Sequence, residues 1–431
     1  MKHELDALEL NKTWRLVDCP AGVKPVGFDR YKARLVAKGF TQTKGVNFLE
    51  TFSPVVKPAT IRLVLALASM KHWPIYQLDV NNAFLHGNLS EDVYMTLPPG
   101  FISPQPNQCC KLLKSLYGLR QSSRMWYDKL SHLLLSHGYQ QTSSDYSLFV
   151  KFIGDQISIL LVYVDDIVLT GNSISELAAI KSILHQHFRI KDLGPLKYFL
   201  GIEVAQSEKE ICLSQRKYCL NLLEDSGLLG AKPASVPMDS TTRLYHDKNP
   251  LLSDPFVYRR LVGRLIYLTT TRPDIMYATQ QLSQFMASPT KSHLQAAKHV
   301  LRYLKTSPSK GLFFPRESEI QLLSFSDSDW ARCPDTRRSL IGYCFFLGSS
   351  LVSWKTKKQT TVARSSTEAE YRALANTTCE VQWILNVLQF LRISPIRPPV
   401  LYCDNQSTLH IAANPVFHER TKHLEVHCHL V

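Results

Sequence analysis

The sequence predicts an α+β chain of more than one domain, and three observations carry that expectation. At 431 residues it is too long for a single ordinary core. With 45 % hydrophobic, 10 % aromatic and 20 % charged residues and no low-complexity tract, its composition is globular. The pattern also changes character along the chain. β-Branched apolar runs lie near the middle, and a stretch rich in Pro, Ser, Thr and Asp at 230–255 reads as a linker. A mainly helical run follows over 258–303, and strand-like and helix-like segments alternate after 320.

The first 28 residues hold a short polar helix and a segment punctuated by Pro and Gly. DRYKARLVAKGFTQ then sets Arg30, Lys32, Arg34 and Lys38 against Tyr31, Ala33, Leu35 and Ala37, a period of two that puts the cations on one face of a strand. Such a face suits either the wet side of an edge strand or a phosphate-bearing ligand. Residues 59–71, ATIRLVLALASMK, form an apolar core helix. WPIYQLDVNNAFLHG is a strand with Ile75, Gln77 and Asp79 on one face, Asp79 at its end and Phe84 in the turn beyond. A carboxylate there is either a helix N-cap or a ligand. After a Pro-rich connection at 93–108, Arg120-Gln121-Ser122-Ser123 opens an amphipathic helix whose Tyr127, Leu130, Leu134 and Leu135 are core by spacing. Gln121 is either an exposed loop residue or a ligand contact.

Residues 157–171, ISILLVYVDDIVLTG, read as strand, tight turn and strand. Asp is an ordinary turn former. Yet Asp165 and Asp166 on a stiff apolar hairpin also suit a divalent cation, which takes hard oxygen ligands. A helix over 175–187, capped by Ser173 or Ser175, and a turn and strand around Gly201 come next. In the last segment LLSFSDSDWA is a strand ending in Asp327 and Asp329, and 337–359 gives two or three strands. Ser365 and Glu368 make a capping box that opens a helix carrying Glu370. VLYCDNQSTLHIA is a buried strand ending at Asp404, followed by a helix. Asp327, Glu370 and Asp404 thus each stand at an element end. Singly they are caps or surface acids; converging on one sheet edge they would be a metal site.

The net charge of +14 is the footprint of a protein that handles a polyanion, with a merely basic enzyme as the alternative. Ten cysteines, one adjacent pair (Cys109 and Cys110) and no C-x-x-C argue against a zinc ribbon or a disulfide framework and for a reducing compartment. The start, MKHELDALEL, is polar rather than a signal peptide, and no apolar run reaches the ~18 residues of a membrane span. A soluble intracellular protein is expected.

In order along the chain, RYKARLVAKGFTQ, QLDVNNAFLHG, KSLYGLRQSSRMWY, YVDD, YFLGIEV, SDSDW, SSTEAEYRAL, YCDNQS and RTKH resemble the reverse transcriptase and ribonuclease H portion of a Ty1/copia-type retrotransposon Pol polyprotein. The resemblance covers nearly the whole chain. It implies a right-hand polymerase of fingers, palm and thumb, followed by a ribonuclease H-like mixed-sheet α/β domain. Fingers and palm would occupy 1–228, a linker and helical thumb or connection 229–319, and the ribonuclease H-like domain 320–431. By resemblance Asp79, Asp165 and Asp166 are the polymerase carboxylates and hold Mg²⁺, with Mn²⁺ as the alternative. Phe84 is the steric gate against a ribose 2′-hydroxyl, Gln121 contacts the incoming nucleotide, and Lys32 and Arg34 meet its triphosphate. Phe199 and Gly201 belong to the loop that positions the primer end. Asp327, Glu370 and Asp404 are three of the four ribonuclease H acids and hold metal likewise, with Asp329 a supporting acid. The implied partners are an RNA template, a DNA primer, an RNA–DNA hybrid and dNTPs, with no membrane. The implied place is a cytoplasmic virus-like particle or the nucleus.

Two departures from the family pattern stand out. His427 occupies the position of the fourth acid, and imidazole is a poorer partner than carboxylate for Mg²⁺. A weakened nuclease is therefore expected. A strand and turn usual between VGF and DRYKARL are also missing, which leaves the fingers incomplete. A catalytically inactive remnant that retains nucleic-acid binding is the alternative to an enzyme.

Overall fold

The computed structural model describes residues 13–18, 35–98, 105, 107–239, 244–246, 249–414, 427 and 430–431. Lys32, Arg34 and most of the alternating cationic strand lie outside the described residues. From Leu35 onward that segment is irregular and enters a 3₁₀ turn, Gly39–Thr41. The chain forms two compact units. The first comprises 1–57 and 74–196; the second comprises 58–73 and 197–431. Helix α1 (Pro58–Met70), which interrupts the first unit in sequence, belongs to the second.

The first unit holds two antiparallel sheets. The smaller has β1 (Trp14–Asp18) at one edge; the larger contains β2 (Ile75–Val80). Strands β3 (Asn88–Met95) and β4 (Gln108–Lys114) complete the smaller sheet in the order β1-β4-β3. Helix α2 (Ser122–Ser136) leads to β5 (Gln140–Gln141), β6 (Leu148–Ile153), β7 (Gln156–Tyr163) and β8 (Asp166–Gly171). Helix α3 (Ile174–Phe188) and β9 (Ile190–Pro195) close the unit, and the large sheet runs β5-β6-β7-β8-β2-β9.

The central hairpin is the strand–turn–strand that its β-branched runs predict. One sheet face packs Leu78, Val80, Leu160, Val162 and Ile167 against Trp126, Leu130 and Leu134 of α2 and Leu177, Ile180 and Leu184 of α3. Burying each such side chain contributes roughly 1.5–3 kcal/mol. The alternate residues Ile159, Leu161 and Val168 are buried too, so β7 reads as an unbroken apolar run. Leu135, a core residue by spacing, is exposed, because the core-facing stripe of α2 already ends at Leu134. Ser173 caps α3 by accepting the Glu176 N–H.

In the second unit β10 (Tyr198–Phe199), β11 (Ile202–Gln206) and β12 (Glu210–Ser214) form an antiparallel ladder. Helices α4 (Arg216–Asp225), α5 (Pro255–Leu268), α6 (Met276–Ser283) and α7 (Lys291–Thr306) share a core of Leu222, Tyr258, Val262, Leu265, Leu282, Val300 and Leu304. The helical run expected over 258–303 is thus three helices and a 3₁₀ turn, Pro273–Ile275. That turn carries a buried ion pair: the Arg272 guanidinium donates to both carboxylate oxygens of Asp274 and to the Ser307 carbonyl, and Tyr303 donates to Asp274.

Strand β13 (Leu312–Pro315) joins β12, giving the order β10-β11-β12-β13. The last sheet is mixed. β14 (Leu322–Asp329), β15 (Leu340–Leu347) and β16 (Ser350–Lys358) are antiparallel. Helix α8 (Ser366–Phe390) packs on this sheet, and β17 (Val400–Cys403) then pairs parallel to β14 before α9 (Gln406–Ala413). β17 is an edge strand with Val400 and Tyr402 exposed, not the buried strand expected; with a single neighbour, its apolar residues cover only one side. The capping box at 365–368 also differs. Ser365 accepts the Glu368 N–H, but the Glu368 carboxylate turns to the Arg364 N–H and to Arg372 instead of the Ser365 N–H.

Helix α1 is buried over its whole girth from Thr60 to Ser69, as a helix apolar all round requires. Its one charge is accommodated by contact. Arg62 donates to the Val352 and Thr270 carbonyls and lies 3.9 Å over the Trp354 ring. Burial lowers its pKa to about 9 against the opposing pull of Glu380. Among the described residues no helix is long and apolar enough to cross a membrane, and the eight described cysteines are free thiols.

Candidate active sites

The antiparallel pairing of β2 with β8 sets Asp79 opposite Asp166, and β7 with β8 sets Tyr163 opposite Asp166. Val164 and Asp165 are thus the whole hairpin loop. Asp165 is tied to the same strand end, because the Val80 N–H donates to its carbonyl at 2.9 Å. Three carboxylates, half-buried, therefore stand at one end of a rigid sheet. Val164 has φ 55°, a region that costs a β-branched residue roughly 1–2 kcal/mol. The surroundings enforce it: the Trp126 indole N–H, from the core of α2, donates to the Val164 carbonyl at 2.6 Å. Backbone strain held in this way is common at functional turns.

Asp166 is held above the ordinary carboxylate range, first by burial and also by the charges of Asp165 and Asp79, while a hydrogen bond from the Gln77 amide opposes the shift. Oxygen donors that repel one another are the set a hard divalent cation satisfies, so these residues fit such an ion. Gln77 and Trp126 are contributors that the sequence reading left out. The two-residue alternation to Asp79 pointed to Gln77, whereas nothing in the sequence marks the indole contact.

Phe84 lies in a 3₁₀ turn, Ala83–His86, directly after β2, with its ring 4.8 Å from that of Tyr117 and its carbonyl held by the Ser115 hydroxyl. Gln121 is neither exposed nor free. It has no accessible surface, its carbonyl accepts from the Gln42 amide and its own amide donates to the Asn47 carbonyl. It braces the segment after the 3₁₀ turn Gly39–Thr41. That bracing depends on close backbone approach: a Cβ on Gly118 (φ 92°) would sit 2.1 Å from the Ala37 carbonyl oxygen. Phe199 and Gly201 belong to the second unit. Phe199 is buried in β10, and Gly201 (φ 77°) forms the β10–β11 turn with Tyr267 donating to the Leu200 carbonyl at 2.5 Å.

A second acid cluster lies at the end of the mixed sheet. Ser326 of β14 is in register with Cys403 of β17, so Asp404 leaves the sheet beside Asp327. Glu370 reaches the same end from α8, where its Oε1 accepts the Ser328 N–H at 3.1 Å. Ligand atoms of Glu370, Cys403 and Asp404 lie within 4.8 Å of one another. Asp327 is not within that distance of all three, but its charge acts on both Glu370 and Cys403. Along β14, Ser324, Ser326 and Ser328 are buried, while Phe325 and Asp327 share the exposed face. Asp329 accepts the Leu340 N–H at 2.7 Å and closes the β14–β15 connection, the supporting part expected of it. His427 lies beside Arg372 and Glu368. These flank Glu370 by two positions each, roughly 200° round the helix, so His427 does not face Glu370 as the position of a fourth ligand would require.

Burial raises the Glu370 pKa to about 7; the Ser328 N–H opposes this, and Asp327, Asp404 and Asp329 add to it. Unfolded, the group titrates near 4.5. Between these values the folded chain holds a proton that the unfolded chain does not, so without metal this site costs stability as pH rises from 4.5 to about 7. A cation bound there would displace that proton. Calorimetric Mg²⁺ titrations should show apparent affinity rising up to about pH 7 and then levelling, with Glu370→Gln removing the part of the dependence that belongs to this site. A flat profile in the unmodified chain would refute the assignment.

Residues 11–240 match the family model described as reverse transcriptase (RNA-dependent DNA polymerase). The chain is 48 % identical over 447 residues to the retrovirus-related Pol polyprotein from transposon RE1 of Arabidopsis thaliana, covering 100 % of this chain and 30 % of that protein. It is 38 % identical over 458 residues to the polyprotein from transposon TNT 1-94 of Nicotiana tabacum, covering 100 % of this chain and 34 % of that protein. It therefore spans about a third of the length of the curated relatives it matches. The structure of the foamy viral protease-reverse transcriptase with an RNA/DNA hybrid is similar in fold at 12 % identity and TM-score 0.54, covering 96 % of this chain and 50 % of that one. The chain belongs to the reverse transcriptase family, among the Ty1/copia-type retrotransposon Pol polyproteins.

Proposed function

We propose that the chain is an RNA-directed DNA polymerase with an attached ribonuclease H-like domain. The register that sets Asp79 opposite Asp166, beside the latched Asp165, carries the polymerase reading. Fingers and palm would occupy 1–228, linker and thumb 229–319, and the ribonuclease H-like domain 320–431. Asp79 and Asp165, with Asp166 in support, would hold Mg²⁺ or Mn²⁺. Divalent ions bound there would stabilise the attacking and leaving oxygens of an in-line phosphoryl transfer. The protein supplies rigid placement: the Trp126 indole fixes the turn that presents Asp165, and Gln77 orients Asp166. The substrates are an RNA template, a DNA primer and dNTPs, for which the net charge of +14 provides attraction. Lys32 and Arg34 would meet the triphosphate, Gln121, which also braces the segment after the 3₁₀ turn Gly39–Thr41, would contact the incoming nucleotide, and Phe199 and Gly201 would form the loop for the primer end. The place of action is a cytoplasmic virus-like particle or the nucleus.

The Phe84 ring would fill the space of a ribose 2′-hydroxyl. Phe84→Val should raise ribonucleotide incorporation relative to dNTPs by about a hundredfold in single-nucleotide extension, the scale on which a shaped pocket rejects a hydroxyl. Unchanged discrimination would remove Phe84 from the gate. In the ribonuclease H-like domain, Asp327, Glu370 and Asp404 are the acids, and the position of His427 beside Arg372 supports a weak nuclease.

Primer extension on an RNA template with dNTPs and Mg²⁺ tests the polymerase. Extension is the expected result. Its absence, with salt-sensitive hybrid binding intact, would leave a nucleic-acid-binding remnant.

A further inference from the structure

We infer that Glu370, Cys403 and Asp404 form a site for a thiophilic divalent cation of the Zn²⁺, Cd²⁺ or Co²⁺ class. Three observations converge on it. The carboxylate oxygens of Glu370 and Asp404 and the Cys403 sulfur lie within 4.8 Å of one another. Glu370 is only 6 % exposed, and while its Oε1 is engaged by the Ser328 N–H, its Oε2 is buried with no hydrogen-bond partner. A buried carboxylate oxygen left without a donor is costly, and a cation removes the cost.

The third observation is the strand geometry. Tyr402 points to the open face of the sheet, where its ring stacks on Phe325 at 5.0 Å, so Cys403 points to the α8 side that bears Glu370. Asp327 shares the Phe325 face. The donors gathered within 4.8 Å of one another are two carboxylates and one sulfur, with the Asp327 charge close enough to act on both Glu370 and Cys403. Mg²⁺ needs near-octahedral oxygen ligation, whereas sulfur with carboxylates suits softer ions that accept four ligands. On binding, the Cys403 thiol releases its proton to solvent and the thiolate ligates the ion. An ion held there would occupy the place of Mg²⁺ and inhibit cleavage of an RNA–DNA hybrid. The inference deepens the nuclease reading of this site, but its test needs no cleavage.

The full chain would be titrated with Co²⁺ while following the thiolate-to-cobalt charge-transfer absorption, alongside Cys403→Ser and Glu370→Gln. The expected result is a saturable band that Cys403→Ser loses and Glu370→Gln weakens, with Cys403→Ser melting like the parent chain in metal-free buffer and Glu370→Gln no lower than it. If Cys403→Ser does not fold, Cys403→Ala replaces it. A band retained without the Cys403 sulfur, or Co²⁺ bound without any band, would overturn the inference. The nuclease reading falls or stands separately: a band without Mg²⁺-dependent hybrid cleavage keeps the thiophilic site and removes the nuclease, and cleavage without a band does the reverse.

Discussion

Asp165→Asn should reduce primer extension by at least about a thousandfold, the several kcal/mol that a metal-assisted phosphoryl transfer loses with its ligand set. The turn itself should survive, because what holds it is backbone: the Val80 N–H on the Asp165 carbonyl and the Trp126 indole on the Val164 carbonyl. Folding stability without metal should rise slightly, since the Asp165 charge is one of the two that push against Asp166. Loss of activity with an unchanged or higher melting temperature is thus the signature. Extension within tenfold of the parent would remove Asp165 from the site. Asp166→Asn should cost less, because Asp166 is already engaged by Gln77.

The largest stability effect is expected at Arg272. It is 2 % exposed, donates to both oxygens of Asp274 and to the Ser307 carbonyl, and lies beside the helical core of the second unit. Burial works against ionisation of Asp274, yet the hydrogen bonds from Arg272 and Tyr303 hold its pKa below the usual range. Arg272→Ala removes the main partner of that carboxylate, leaving Tyr303 and the Lys310 ammonium at 3.5 Å, and should cost about 3 kcal/mol, lowering the melting temperature by roughly 10 °C. The pair contributes at neutral pH and is lost as pH falls through the depressed pKa of Asp274, so the difference between variant and parent should shrink in acid. Replacing both partners, Arg272→Met with Asp274→Leu, should recover much of the loss. A single variant within 1 kcal/mol of the parent would show that the pair is not structural.

The hairpin at 157–171, the helix over 59–71, the Ser173 cap and the strands of the last sheet could be read from period and turn chemistry, because each depends on neighbours in sequence. What could not be read depends on partners distant in sequence. Leu135 has core spacing but no neighbour to bury it. Gln121 looks like a loop residue until Gln42 and Asn47 are known to enclose it. Cys403 is an unremarkable strand residue until the parallel pairing with β14 turns it toward Glu370. For the acids, motif order named the residues. Only the register shows that Asp79 and Asp166 are directly opposed, and only the alternation along β14 shows Asp327 on the outer face.

Helix α1 enters the sequence ahead of the large sheet of the first unit but packs against β13 and β16 of the second. On the ribosome it emerges long before its partners: once Met70 has been made it must wait until the chain has reached Leu312 and then Lys358. Until then its apolar girth and the guanidinium of Arg62 have nowhere to go. A truncation ending at 228 would make that wait permanent, so the two units cannot be separated by one cut without leaving a sticky helix behind.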